Sequence, residues 1–411
     1  MLINICPSTS GSDAAARDAV PAALSKTCLV LAIFNAAMLI SLYFAHDWLV
    51  DADGHLIPTD FVNVWAAGRL ALDGYPAQAW DWGIHKQMQV AMLGRDYPGD
   101  YAWHYPPPFL FIAMVLAQFS YTNGLVGWAA ASFVPYLAMM RGAVGQRFGL
   151  IVGAAFPVVL ANTMAGQNGF LTAALLGGTL VLMPARPALA GICLGLLSYK
   201  PQYGLLFPLA LIAASQWTTF LAAAVTTVVM ALTSWLALGA ESWQAFFHWM
   251  PMFSQAFFTE GRATFYKLQS VFGLVRTFGG SEQLAWIFHW IVSGFVVAGT
   301  AMLWRSRADY ALKAAALGAG TLLLTPYLFL YDLMVLAIPV GFLLRIGLAG
   351  GFRRGELAAL GCAMGLLIAF PFFEVPLGLA STLIVAALIV RRIVNPATEP
   401  AHLPREIHAL G

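Results

Sequence analysis

Apolar runs of bilayer length recur along the chain, broken by glycine, proline and arginine. About 17–25 apolar residues suffice for a helix to cross the hydrocarbon core. The pattern predicts about twelve such helices, over 27–48, 122–142, 147–164, 168–183, 187–199, 203–216, 218–239, 284–304, 310–325, 328–345, 356–373 and 375–391. HYPPPFLFIAMVLAQFSY, His104 to Tyr121, is apolar but short for a crossing. It reads as a re-entrant or interfacial helix started by Pro106–Pro108, with a thirteenth span as the alternative. The expected fold is all-α and polytopic, one transmembrane domain over 27–391 between tails 1–26 and 392–411.

Basic residues in short connections mark the cytoplasmic side. Arg141/Arg147, Arg186, Arg305/Arg307, Arg345/Arg353/Arg354 and Arg391/Arg392 fit one side of the weave, together with Lys26. The first long polar loop carries Asp51, Asp53, Asp60, Asp73, Asp81, Asp96 and Asp100 against Arg69, Lys86 and Arg95, and is expected outside. The outer regions are then 49–121, with interfacial helices, and 240–283; both termini are expected in the cytoplasm.

Composition narrows the class. The chain is 60% hydrophobic and 10% charged, too little charge to cover a soluble domain. A net charge of +2 gives no reason to expect nucleic acid. Cys6, Cys28, Cys193 and Cys362 lack metal-ligand spacing and read as small core residues or a free thiol, not as a disulfide framework. Asp51 and Asp53 form a D-x-D pair near His55, but short acidic loops produce such pairs readily, so no metal or other cofactor is expected. Thr27 to Trp48 is followed by Asp51 and Asp53 rather than a small-residue cleavage site, and reads as a retained anchor.

PTDFVNVWAAGRLALDG, Pro58 to Gly74, poses the central question. Phe61, Val64/Trp65, Gly68 and Leu72 form an apolar helical stripe, while Asp60, Asn63 and Ala67 fall on another face. Such a helix suits a membrane interface, with Phe61 and Trp65 buried; Ala77 to Met92 offers a second. Thr59 and Asp60 are good N-cap residues, so Asp60 could be merely a cap. Polar groups beside helix breaks recur at the same outer level: Gln167 and Asn168 in AGQNG, Lys200 and Gln202 in SYKPQ, Tyr331 and Asp332 in TPYLFLYD. Broken helices at membrane depth are tolerated where they line a cavity. The outer tryptophans Trp65, Trp80, Trp82, Trp103, Trp243 and Trp249 read as an interfacial belt.

The succession DFVNVWAAGRLALDGYPAQAWD, HYPPPF, AGQNGFLTAALL, RPALAGICLGLLSYKPQYGLL and LTPYLFLYDLMVL, from Asp60 to Leu336, resembles glycosyltransferase family 87 of the GT-C superfamily. That family includes phosphatidylinositol mannoside mannosyltransferases, which carry a histidine-bearing segment where this chain has TPYLFLYD. The resemblance implies an inverting glycosyltransferase of the bacterial cytoplasmic membrane. It would move a sugar, mannose first among candidates, from a polyprenyl phosphate to a lipid or polysaccharide acceptor outside. In the family an outer-loop aspartate near the first span is the catalytic base, and Asp60 holds the matching position.

One carboxylate suffices to take the acceptor proton when the leaving group is a phosphate. Lys200, a lone cation at a span's outer end, is the first candidate for that phosphate, with Arg262 and Lys267 beside it. Lys200 could equally snorkel to the headgroups. Asn63, His104, Tyr105, Gln167, Asn168, Gln202, Tyr331 and Asp332 are candidates for sugar or acceptor; Asp332 could instead cap its helix or pair with Lys200. Two rival classes remain: a secondary transporter, which also has many spans and broken helices but usually internal repeats that are absent here, and a non-catalytic lipid-binding protein.

Overall fold

The computed structural model describes residues 20–99 and 101–395, so Cys6, Asp100 and most of both expected tails lie outside the described residues. Among the described residues the structure is helical, with one isolated extended pairing, Val50 with Leu56. Five helices are long and apolar enough to cross a bilayer, and two bent pairs raise that number to seven. The helices follow the expected segments, but several of the twelve are half-length: α8 (Gly169–Leu182), α9 (Pro187–Leu196) and α10 (Phe207–Ala213). Fewer than about 17 residues do not cross alone.

The centre of the protein is the stretch Leu330–Gly350, a 3-10 turn (Leu330–Leu336) running into α16 (Ala337–Gly350). Leu333 to Ile338 are all fully buried. Around it pack α5 (Tyr121–Val144), α8 and α15 (Tyr310–Leu324). At the rim stand α1 (Ala22–Phe44), α11 (Trp217–Leu238) and α14 (Glu282–Arg305), whose apolar side chains point outward: Val30, Val225 and Phe295 are all well exposed. Faces of that kind are stable only against lipid. This is a multi-pass membrane protein.

The first long loop is structured throughout. It holds α2 (Phe61–Leu72), α3 (Trp82–Leu93) and α4 (Leu110–Leu116), the last preceded by a proline-started turn (Pro107–Phe109) and folded back on α5 through 117°. Nine of the twelve α2 residues are buried, so it is enclosed by protein rather than lying on a surface as the sequence suggested. The reason is Gly68: a β-carbon there would lie 2.0 Å from the Ala113 carbonyl oxygen, so α2 and α4 touch backbone to backbone. The tryptophan belt also fails in part, because Trp80 and Trp103 are fully buried and Trp80 donates to the Tyr105 carbonyl.

Residues 240–283 are largely helical, in α12 (Ala240–Ser254), a π-turn (Gln255–Thr259) and α13 (Val271–Thr277). Trp82 of α3 stacks on Trp249 and Phe253 of α12, which joins the two outer regions. At the other end the arginines gather. Arg345 lies against Gly145, and Arg353 donates to the Arg391 carbonyl. Arg392 grips Glu356 bidentately at 2.5 Å, latching α18 (Leu377–Val394) to α17 (Glu356–Ala369). Helix α5 runs from Tyr121 to this basic end, a length of about 36 Å for its 24 residues.

Candidate active site

Asp60 immediately precedes α2, yet its side chain makes no capping bond. Thr59 Oγ1 accepts from the Phe61 N–H instead. The Tyr121 hydroxyl fixes this turn by bonding the Thr59 N–H, the Thr59 hydroxyl and the Ile57 carbonyl, at 2.9–3.2 Å. The capping reading of Asp60 therefore gives way.

Its carboxylate meets the break between α7 (Val158–Ala165) and α8. Gly166 at φ +65° ends α7 in the left-handed region, with Phe61 so close that a β-carbon would stand 2.6 Å from it. That reversal aims Gln167 at the carboxylate: Nε2 donates to Asp60 Oδ2 at 3.0 Å. The Gln167 oxygen accepts from the Tyr105 hydroxyl at 3.3 Å and from the Asn168 N–H at 3.4 Å. A carboxylate only accepts, so the amide orientation is forced.

Asp60 lines a cavity of about 420 Å³. Asn63, His104, Gln167, Arg262, Lys267 and Tyr331, all expected site residues, line it too. Burial pushes the Asp60 carboxyl above its usual range; the Gln167 donor and the positive Lys267 and Lys200 oppose that push. The guanidinium of Arg262 bonds Glu260 at 2.9 Å and lies over the Trp82 ring.

A second chamber of about 260 Å³ adjoins the first and is almost wholly apolar. His104, Phe257 and Tyr327 belong to both walls. Tyr105, Lys200 and Gln202 line only the second. Lys200 is not a snorkelling side chain: it is buried and pairs with Asp332 at 2.6 Å, ringed by Tyr105, Tyr203 and Tyr331 at 5.6–6.0 Å. Asp332 also accepts from the Phe329 N–H, so of its expected roles it fills both the cap and the ion pair. Asp332 and Asn168 are buried and line neither chamber. Burial, and next the Lys200 charge, push the His104 imidazole down to about 4, so it is neutral at pH 7. Among lining residues, Tyr101, Phe257, Tyr327 and Phe329 were not singled out from sequence; Tyr327 sits inside the quoted TPYLFLYD.

The sequence profile of glycosyltransferase family 87 matches residues 103–326, more than half of the chain. The chain belongs to that family. No curated protein and no solved structure matches it. The matched stretch supplies His104, Gln167, Lys200, Arg262 and Lys267 to the two chambers; Asp60 and the lining residues of TPYLFLYD, Tyr327 to Tyr331, come from outside it. A family 87 glycosyltransferase needs a sugar donor and an acceptor. The D-x-D loop lies apart: Asp51 Oδ1 accepts from the backbone of Asp53 and His55, and Asp51 Oδ2 bonds Arg95 at 2.9 Å. Asp51, Asp53 and His55 could approach one ion, but Asp53 and His55 are exposed and Asp51 already serves its own loop.

Proposed function

We propose that this family 87 glycosyltransferase is inverting, takes its sugar from a polyprenyl phosphate, and uses Asp60 as general base. The acceptor is a lipid or polysaccharide hydroxyl on the outer face of the bacterial cytoplasmic membrane, and mannose is the leading candidate sugar. The observation that carries this reading is the free side of Asp60. One oxygen is held by Gln167, no capping bond occupies the group, and the cavity before it holds two cations.

In this reading the acceptor hydroxyl sits within about 3 Å of Asp60 in the polar cavity. Its oxygen bonds to the anomeric carbon as the carbon–oxygen bond to phosphate breaks on the opposite face. The proton passes to Asp60, and the phosphate leaves with the bonding electrons, still on its polyprenyl chain. Lys267 shares the cavity with Asp60 and would stabilise that leaving charge, with Arg262, which already bonds Glu260, as a secondary cation. Lys200 is a weaker choice than the sequence suggested, because Asp332 already neutralises it. The apolar second chamber suits the first isoprene units of the donor. The gathered arginines support a cytoplasmic position for the opposite end of the bundle, by the positive-inside rule. No metal is required, since cationic side chains serve the phosphate.

The test is transfer of radiolabelled sugar from a polyprenyl-phosphate donor by membranes carrying the protein. Asp60→Asn should abolish transfer at unchanged protein level. Full activity of that variant would overturn the mechanism.

A further inference from the structure

A further cavity belongs to neither chamber. A groove of about 740 Å³ runs along the outer surface between α14, α15 and α18, from Val292 to Ser306 and Val394. Fourteen helical steps give it a length of about 21 Å, a little more than one leaflet of a hydrocarbon core about 30 Å thick. Its floor is made by small residues, among them Gly299, Ala319, Gly320 and Ala386, and no charged residue lines it. A β-carbon on Gly299 would meet nothing within 4 Å, so the groove is open there.

The end at Ser306 is different. Arg305 and Arg307 flank Ser306, and both are exposed. The amine of Lys313 reaches the same turn, donating to the Ser306 carbonyl at 2.7 Å. Arg391 lies beside Val390 on the facing helix and is exposed as well. The turn's one acid, Asp309, is engaged in capping α15 through the Ala311 N–H at 2.8 Å. On the facing helix Arg392 is already matched by Glu356. An apolar trough whose Ser306 end adjoins exposed cations, Arg305 and Arg307 with no carboxylate bridged to them among the described residues, fits a chain with a negative head.

We infer that the groove is a site for an anionic phospholipid, with one acyl chain in the trough and the head-group phosphate at Arg305 and Arg307. A zwitterionic lipid would fill the trough equally well and leave excess positive charge at its end. The site lies at the basic end of α14, away from Asp60, and the inference does not depend on the proposed chemistry.

The experiment uses the full chain, delipidated in detergent and titrated with phosphatidylglycerol or phosphatidylcholine of identical acyl chains, read by native mass spectrometry. One phosphatidylglycerol should be retained in preference. The double variant Arg305→Gln, Arg307→Gln should lose that preference by roughly fivefold per arginine. Gly299→Trp, which fills the trough, should lose both lipids while keeping the wild-type unfolding temperature. Equal retention of the two lipids by wild-type protein overturns the inference. So does a preference that survives the double variant, or a Gly299→Trp protein whose only change is from dimer to monomer, which would make the groove a contact between copies.

Discussion

Gln167 Nε2 donates to Asp60 Oδ2 at 3.0 Å across 107 residues of sequence. The same amide is held from behind by the Tyr105 hydroxyl. Gln167 therefore gives one amide N–H to the carboxylate and its oxygen to Tyr105, an arrangement suited to positioning the base.

Gln167→Leu is expected to lower kcat about a hundredfold through misplacement of the base, with a smaller effect on KM. Losing a donor to the charged form raises the carboxyl pKa further. The acid limb of the pH–rate profile should then move to higher pH. A profile unchanged in shape would show that Gln167 does not act through Asp60.

Asp60→Asn should reduce transfer by about 10²–10⁴ without weakening the fold. The carboxyl is raised above its unfolded value by burial. Its contribution to stability is thus present below the unfolded pKa and is lost as pH rises. At pH 7 the asparagine protein should melt no lower than wild type, and thermal unfolding in detergent checks this.

Lys200 and Asp332 are expected to behave as a structural pair. Lys200→Met leaves Asp332 buried and unmatched, at a cost of about 3–5 kcal/mol. Adding Asp332→Leu should return much of that stability. A double-mutant cycle on unfolding free energies measures the coupling; additive losses would rule it out.

His104 should make the fold sensitive to acid. Its imidazole is held down at about 4, against about 6.5 for an unfolded histidine. The unfolded chain binds the proton more readily, so stability falls as pH drops from about 6.5 toward 4. His85, also held at about 4 and bonded to the Asn63 carbonyl, adds to this. His104→Asn should flatten the slope of unfolding temperature against pH over that window.

Gly68→Leu should destabilise by at least about 1–3 kcal/mol, because α2 and α4 must separate to admit the side chain. Asp60 heads α2, so transfer should fall with it. Unfolding temperature and activity measured on the same preparation test the link.

Much of this was legible in the chain. Apolar periodicity located most helices, since lipid forces each to satisfy its own backbone. Asp60 stood out because an acid beside an apolar stripe has few reasons to be there. Long-range packing was not legible. Trp80 and Trp103 looked like interface residues, but the fold wraps them, and no local pattern reports that. Helix α12 was hidden because aromatics and Pro251 replace the usual aliphatic repeat. Of the roles open to Asp332, sequence could name the ion pair but not choose it, because Lys200 lies 132 positions away.

Helix α5 sets a distance whose effect reaches beyond packing. It carries Tyr121, which shapes the turn at Asp60, on one tip and Arg141 near the other, about 30 Å away. Two unit charges that far apart influence each other by only about half a kcal/mol at an effective dielectric of 20, and salt screens even that. The two poles are only weakly coupled electrically, so the arginines of the basic end can be altered with little retuning of the carboxylate, and the reverse.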